Sequence, residues 1–554
     1  MEPECLPIAT LPGTTALFRD YADWSGAAAG SDVRRWYPSD PFSMEWAKSS
    51  PQLEAGARSR LADELLRQAD GFDAGGAVLA NIERLKHGAA AVVTGQQVGL
   101  FSGPLLTLLK AATAIRKAQD ATKVSGREHV PVFWLASEDH DLAEVDEVKL
   151  LSKTAVEKLE LGLTERVAGP VGGLRVDNGN EEGHQRLQAE LERASELLGW
   201  APVCDLLREC YAPDAKLAGA FGRLLTKVFA AFGLVVMDAS TRSFHAMGAR
   251  ALRAAIEDAD GLERALLARS NALEAAGYHA QVLVVPGHSL LFLIDAETGA
   301  RLPLRRTSEG AWKAGAQAYT VAELLGILET TPERLSPNAL LRPVFQDCIL
   351  PTAAYVGGPA EVAYFAQTAV VFERVFASAD KLGRVTPVLP RLSATLIEPA
   401  VAAVMEAHEV SLTQVWEAKT AEALAMRLGA RAMPIEGKRK IAAVGHAMDT
   451  ELAALTEYMT AMSADLGRAA GVSASKMRYQ MNRLRRMAAA FEVQKEASLR
   501  KHAAAVMLSL LPEGHLQERV LGGVWFLARY GETLPALMVE HAGQECPGHR
   551  VIFL

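Results

Sequence analysis

Between residues 89 and 141 the chain alternates in a way that few folds accept. Ala89-Ala-Ala-Val-Val93 is a continuous apolar run of strand length, and it ends in Thr94-Gly-Gln-Gln-Val-Gly-Leu-Phe-Ser-Gly-Pro104. A helix follows, because Leu105, Leu108, Leu109, Ala112 and Ile115 recur at three- and four-residue spacing. Pro104 suits the first turn of that helix, where a missing N–H does no harm, and Ser102 or Gly103 would cap it. A second buried strand, 130–136, runs into Ser137-Glu-Asp-His-Asp141. Strand, Gly-rich turn, helix and strand make a βαβ unit. It predicts an α/β fold whose parallel sheet opens a ligand crevice at the strand carboxyl ends.

Further strands are expected at Gly233-Leu-Val-Val-Met-Asp238, at 349–356 and at Thr386-Pro-Val-Leu-Pro390. Val282 to Pro286 and Ser289 to Asp295 read as a hairpin around Gly287-His288. Residues 1–50 read as an irregular wrap, 51–90 as helix broken at Gly71 to Gly76, and 142–230 as charged helices with an irregular stretch at 168–183. From about 395 the pattern changes. Residues 397–428 give one long helix. Leu452, Leu455, Met459, Met462 and Leu466, then Met477, Met481, Leu484, Ala488 and Phe491, form two heptad seams with a turn expected near Gly471. This predicts an antiparallel helical coiled coil over 395–510. The segment 511–554, with a turn at Pro512-Glu-Gly-His515 and a helix at 516–530, is expected to pack back on a core formed by 1–394.

A chain of 554 residues is too long for one core. Its formal charge of −8 excludes a global basic surface, so nucleic acid is not an expected partner. Met1 to Gly13 lacks a basic, apolar leader, and no apolar run approaches the roughly 18 residues that cross a bilayer, so no membrane association and a cytoplasmic location are expected. Five cysteines, sparse and odd in number, argue against a disulfide framework. Cys204 and Cys210 lack a nearby histidine, so no structural metal is expected.

Three clusters carry candidate chemistry. Thr94, Gln96, Gln97, Gly99, Ser102 and Gly103 surround a strand-to-helix turn where backbone N–H groups could meet a phosphate or carboxylate. The glycines match neither a Walker loop nor GxGxxG, and steric need alone could place them. Glu138, Asp139, His140 and Asp141 follow a buried strand directly. They could orient an amine, accept a proton or hold Mg²⁺; the plainer reading is a solvated helix start. Arg342, Gln346, Asp347, Tyr355, Gly357, Gly358 and Glu361 offer a guanidinium and a second helix start for an anion, unless Arg342 only pairs with Asp347. Cys348 reads as a core residue, and the basic run from Lys476 to Lys501 as a solvated face.

The stretches 94–104, 131–141, Pro337-Asn-Ala-Leu-Leu-Arg-Pro343, Ala354-Tyr-Val-Gly-Gly-Pro-Ala-Glu361 and Leu516-Gln-Glu-Arg519 closely resemble the BshC family, the cysteine ligases of bacillithiol biosynthesis. The resemblance runs from about residue 90 to the end. It implies a Rossmann-like core akin to class I aminoacyl-tRNA synthetases and nucleotidyltransferases, with connecting-peptide insertions near 142–230 and 240–335 and a homodimer through the coiled coil. It also implies ligation of L-cysteine to the amine of glucosaminyl malate. ATP would activate the carboxyl, with an adenylate favoured over an acyl phosphate, and Mg²⁺ could accompany the nucleotide. On this view Thr94, Gln96, Gln97 and the amides near Ser102 and Gly103 hold phosphates or the carboxylate. Asp139 or Asp141 holds the cysteine ammonium, and His140 or Glu138 takes the amine proton. Arg342 and the Gly357-Gly358 turn anchor malate or phosphate. The chain departs from the synthetases in having Gln96-Gln97 where HxGH would stand and in lacking KMSKS; Ser473-Ala-Ser-Lys476-Met477 falls in the coiled coil. The alternative is a degenerate synthetase-like module that binds a thiol metabolite and recruits a partner through its coiled coil.

Overall fold

The computed structural model describes residues 4–24, 33–48, 51–164, 168–307, 310–376 and 385–554. Along the chain the strands are β1 (Glu4–Leu6), β2 (Ala90–Gln97), β3 (His129–Ala136), β4 (Glu147–Leu151), β5 (Val156–Glu160), β6 (Val235–Asp238), β7 (His288–Ile294), β8 (Arg301–Arg306), β9 (Trp312–Ala314), β10 (Gln317–Tyr319), β11 (Leu335–Pro337), β12 (Thr352–Gly357), β13 (Val388–Pro390), β14 (Ser393–Ile397) and β15 (His549–Phe553).

The central sheet has the order β13-β12-β2-β3-β6, and every neighbouring pair is parallel. It is the Rossmann-like sheet that the βαβ pattern predicts. The apolar run of β2 is continuous because both of its faces are covered. Ala91 and Val93 enter one core, while Ala90 and Val92 pack with Ala114 and Ala118 of the helix Leu106–Ser125 in another. Strands β2, β3 and β6 build the sheet in one direction and β12 and β13 in the other. The topological switch therefore lies between β12 and β2, where a crevice is expected at the carboxyl ends.

Several local expectations are corrected. β2 runs on to Gln97, so Gln96 and Gln97 are the last residues of a strand, paired with Leu135 and Ala136. The helix starts at Leu106, and Pro104 lies before it, bridged to Gly522. Neither Ser102 nor Gly103 caps that helix. The Ser102 hydroxyl donates to the Gly103 carbonyl and accepts from the Val524 amide, so this turn is fastened to the C-terminal segment. Residues 147–160 form the antiparallel β4–β5 hairpin instead of helix. Residues 282–286 are not a strand. β7 pairs with β8 and β11 in a five-stranded sheet of order β10-β9-β8-β7-β11. Its turn falls at 295–300, where Asp295 accepts from the Thr298 amide and hydroxyl.

The C-terminal part also differs in detail. The long helix expected over 397–428 is broken into β14 and the helices Pro399–Ala407, Leu412–Ala418 and Ala421–Ala432, with Glu409 and Lys419 at positive φ between them. The two long helices are Ile435–Met462 and Ala464–Lys495, and they turn at Ser463, which caps the second. Gly471 is helix interior, so the first seam straddles the turn. Within the chain, the small residues Gly445, Gly467, Ala470, Ala474 and Ala489 are buried together with Leu452 and Met481 of the seams. Leu455, Met462, Leu466, Met477, Leu484 and Phe491 remain exposed.

The last strand closes the chain on itself. β15 pairs in parallel with β14 and antiparallel with β1. That register sets Cys5 opposite Arg550, and the loop before β15 returns Cys546 to it, giving a Cys5–Cys546 disulfide. No framework forms, but this single bridge was not expected, because a pairing between residues 541 apart in sequence has no local signature. Cys204, Cys210 and Cys348 are free. Burial pushes the Cys348 thiol up to about 12, which suits a core residue. Among the described residues no helix is long and apolar enough to cross a membrane.

Candidate functional site

The ends of β2 and β3 bring the first two clusters together. Gln97 donates its amide to a carboxylate oxygen of Asp139 at 2.7 Å, across 42 residues of sequence. The other Asp139 oxygen accepts the His140 amide at 2.7 Å. Gly95 permits this closeness of strand ends: a Cβ there would lie 2.8 Å from the Trp134 carbonyl. The irregular stretch near 170 folds over the acidic turn, with the Val171 amide on the Asp139 carbonyl at 2.8 Å and the Gly172 amide on that of Ser137 at 2.9 Å.

Glu138 points inward, 3.1 Å from Nε2 of His245, which is fully buried. His140 lies at the surface with its Nδ1 3.1 Å from a guanidinium nitrogen of Arg301. Arginine has only donors, so Nδ1 accepts and the hydrogen sits on Nε2. The same Nδ1 lies 3.4 Å from a carboxylate oxygen of Asp139, so His140 is held beside the acidic turn. Arg301 is itself fixed by Ser336 and the Pro337 carbonyl and lies 3.8 Å over the Phe292 ring. Asp141 is exposed at the N-cap position of the short helix Leu142–Val145 and bonds nothing in it.

Across the switch, the third cluster encloses a lysine. Lys110 is 4% exposed and bonds Glu361 at 2.5 Å, the Gly95 carbonyl at 2.8 Å and the Gln96 side-chain oxygen at 2.9 Å. Burial pulls the Lys110 ammonium below its ordinary range, and Glu361 opposes only part of that. Burial alone would raise Glu361, but Lys110 and the Gly358 amide outweigh it and keep the carboxylate ionised. Because Gln96 accepts from Lys110 through its oxygen, its amide nitrogen faces away as a donor.

Glu361 also accepts from the Gly358 amide at 2.7 Å and the Tyr355 hydroxyl at 2.6 Å. The Gly358 amide at this helix start is thus capped by its own chain. Arg342 does not pair with Asp347. It donates to Gln346 and Tyr364, both at 3.1 Å, and lies 4.8 Å over the Tyr355 ring. Among the described residues no carboxylate comes within 4.0 Å of it. Asp347 instead accepts from Thr386, and Gln346 is a buried strut. Thr94 is buried with its hydroxyl on the Val356 carbonyl, and the Gly99 carbonyl accepts from Tyr211. Thr94, Gly99, Ser102 and Gly103 hold the fold and line no crevice.

The candidate residues at the carboxyl ends of the sheet that are not wholly taken up by the fold are Gln96, Gln97, Glu138, Asp139, His140 and Arg342. Lys110, Arg301 and His245, which sequence reasoning missed, orient them. A zwitterion fits this set: Asp139 matches an ammonium, and Arg342 with the Gln96 amide matches a carboxylate or phosphate. Among the described residues no group of three or more His, Cys, Asp or Glu is placed to hold a metal ion. A separate cavity of about 640 Å³ lies between the N-terminal segment, the β13–β14 junction and residues 541–548. None of the residues nominated from sequence lines it.

Residues 1–389 match the family model for the N-terminal Rossmann-like domain of bacillithiol biosynthesis BshC, and residues 394–554 that for its C-terminal coiled-coil domain. The chain is 41% identical to a Koribacter versatilis protein over the whole of both. It is 36% identical to one from Solibacter usitatus over 84% of each chain, and 31% to one from Salinibacter ruber over 99% and 97%. Each of the three bears the name "Putative cysteine ligase BshC".

Proposed function

The chain belongs to the BshC family of bacillithiol biosynthesis, and we propose that it forms the amide bond between the carboxyl of L-cysteine and the amine of glucosaminyl malate. The observation that carries this reading is the pairing of opposite needs across one sheet switch. Asp139, steadied by Gln97, receives the ammonium of cysteine. The Gln96 amide and Arg342, which has no carboxylate partner among the described residues, receive negative charge on the acid or its activating group. Glu138 takes the proton lost by the attacking amine. A free carboxylate does not condense unaided, and ATP supplies its activation. Incubating the protein with cysteine, glucosaminyl malate and ATP, and reading the masses of the thiol product and of AMP or ADP, tests the reading; absence of the product overturns it.

Asp139→Asn is expected to weaken cysteine binding by about 30-fold or more, since losing a charge partner to a ligand costs about 2–5 kcal/mol. Calorimetry with cysteine checks this, and parental affinity in the variant contradicts it.

The long helices support self-association. Leu455, Met462, Leu466, Met477, Leu484 and Phe491 are exposed in the single chain, with Phe491 at 62%. We propose that they meet in a homodimer, and light scattering at micromolar concentration is expected to return twice the chain mass. A monomer there rules it out.

A further inference from the structure

Glu138 and His245 meet in a way that fixes a proton between them. Nδ1 of His245 lies 3.0 Å from the Leu335 carbonyl. A carbonyl only accepts, so Nδ1 carries a hydrogen. In a neutral ring Nε2 would then turn its lone pair on Glu138 Oε1, 3.1 Å away. Both atoms are shut off from solvent, and among the described residues neither has another hydrogen-bond partner. Two acceptors facing each other in a dry site are strongly unfavourable, so one proton must lie between them. Phe345 packs on the imidazole with centroids 5.2 Å apart and keeps the ring in place. Glu138 itself retains 16% side-chain exposure, all of it away from the buried oxygen.

We infer that His245 is a positioning residue that, as an imidazolium, clamps one oxygen of the Glu138 carboxylate and turns the other toward the attacking amine. This rests on the ligase reading above. In the step, the amine nitrogen bonds to the activated cysteine carbonyl, and the bond from that carbon to its activating group breaks, the group leaving with the electron pair. The proton from nitrogen passes to the open Glu138 oxygen, and the pair's charge rises from zero to +1 until the proton goes to solvent. Burial lowers the affinity of His245 for its proton, but Glu138 and the Leu335 and Pro332 carbonyls reverse the sign and raise its pKa above the ordinary value.

Two readouts test the assignment. By ¹⁵N NMR of histidine-labelled full-length protein at pH 7.5, His245 is expected to carry hydrogen on both nitrogens. In Glu138→Gln, whose amide can donate to Nε2, it is expected to be neutral. A neutral His245 in the parent, or an unchanged one in Glu138→Gln, overturns the clamp. In activity, His245→Gln is expected to bind cysteine within about threefold of the parent while turnover falls about 10²-fold. Turnover like the parent's, or losses in binding and turnover that match, overturns the positioning role. Should the parent itself form no product, the ligase reading fails, while the NMR result still decides the Glu138–His245 pair.

Discussion

Replacing Arg342 by methionine is expected to lower product formation by about 10²-fold or more while leaving the fold intact. The guanidinium is enclosed by neutral partners, the Gln346 oxygen, the Tyr364 hydroxyl and the Tyr355 ring. Burial works against its charge, yet the electron-rich tyrosines and the Glu361 carboxylate nearby more than compensate, so it stays a cation. Its charge is thus held ready and, among the described residues, contacts no carboxylate, which supports the proposal that it meets an anionic ligand. An anionic ligand that loses such a partner loses about 2–5 kcal/mol, or roughly 30- to several-thousand-fold. Methionine fills similar volume and leaves no unpaired charge, so the melting temperature is expected to move little. Arg342→Lys separates charge from shape. Lysine keeps the cation but loses the planar fork, so recovery of part of the activity points to charge and no recovery to bidentate geometry. Parental turnover in Arg342→Met removes Arg342 from the site.

Much of this region was legible in the sequence because it rests on local regularity. The apolar runs of β2 and β3 and the helix between them force a parallel pair. Parallel topology then forces residues just past the two strands to be neighbours, as Gln97 and Asp139 are. What was illegible depends on long-range contact. Lys110 sits on a helix face among Leu108, Leu109 and Ala111, where its pattern says core and its charge says surface. Glu361, from the first turn of the distant helix Pro359–Phe376, reconciles the two with the help of the Gly95 carbonyl and the Gln96 oxygen. Glu361 also shows why a glycine-rich helix start is weak support for an anion site, since a carboxylate three residues into the helix had already taken the amide. Arg301 and His245 lie 161 and 107 residues from the side chains they meet and reach the acidic turn only in three dimensions. In the coiled coil the heptad seams were visible, yet the turn lay at Ser463 and not at Gly471, because a serine capping the second helix outweighs a glycine that a helix interior tolerates.

Removing Glu518 is expected to destabilise the protein by about 3–5 kcal/mol, the usual effect of leaving half of a buried ion pair behind. Arg391 grips Glu518 with two nitrogens, at 2.6 and 3.0 Å, and both side chains are almost fully buried. The Ala394 amide and the Ser393 hydroxyl complete the carboxylate's shell at 2.9 and 3.0 Å. Burial would raise its pKa, but Arg391 wins and holds it at about 2 against an ordinary 4.5. The difference corresponds to roughly 3 kcal/mol of stability. Because the folded value is the lower one, that stability is present above the unfolded value and is lost as pH falls from about 4.5 toward 2. His549 adds to the same trend. With Ser393 donating to Glu518, the hydroxyl accepts from His549 Nδ1, and Thr395 donates to Nε2, so the ring is held neutral. Burial sets its pKa at about 4, and its contribution is lost as pH falls from about 6.5 through that value. Arg391 also donates its backbone amide to the Gly357 carbonyl. Loss of this anchor is thus transmitted to the end of β12, beside the Glu361–Lys110 pair. Thermal melts of Glu518→Ala at pH 7 are expected about 3–4 °C below the parent, and melts of Glu518→Gln from pH 5 to 3 should show a flatter acid dependence than the parent's. A Glu518→Ala protein that melts with the parent at every pH would mean that the pair adds nothing to the union of the C-terminal segment with the sheet.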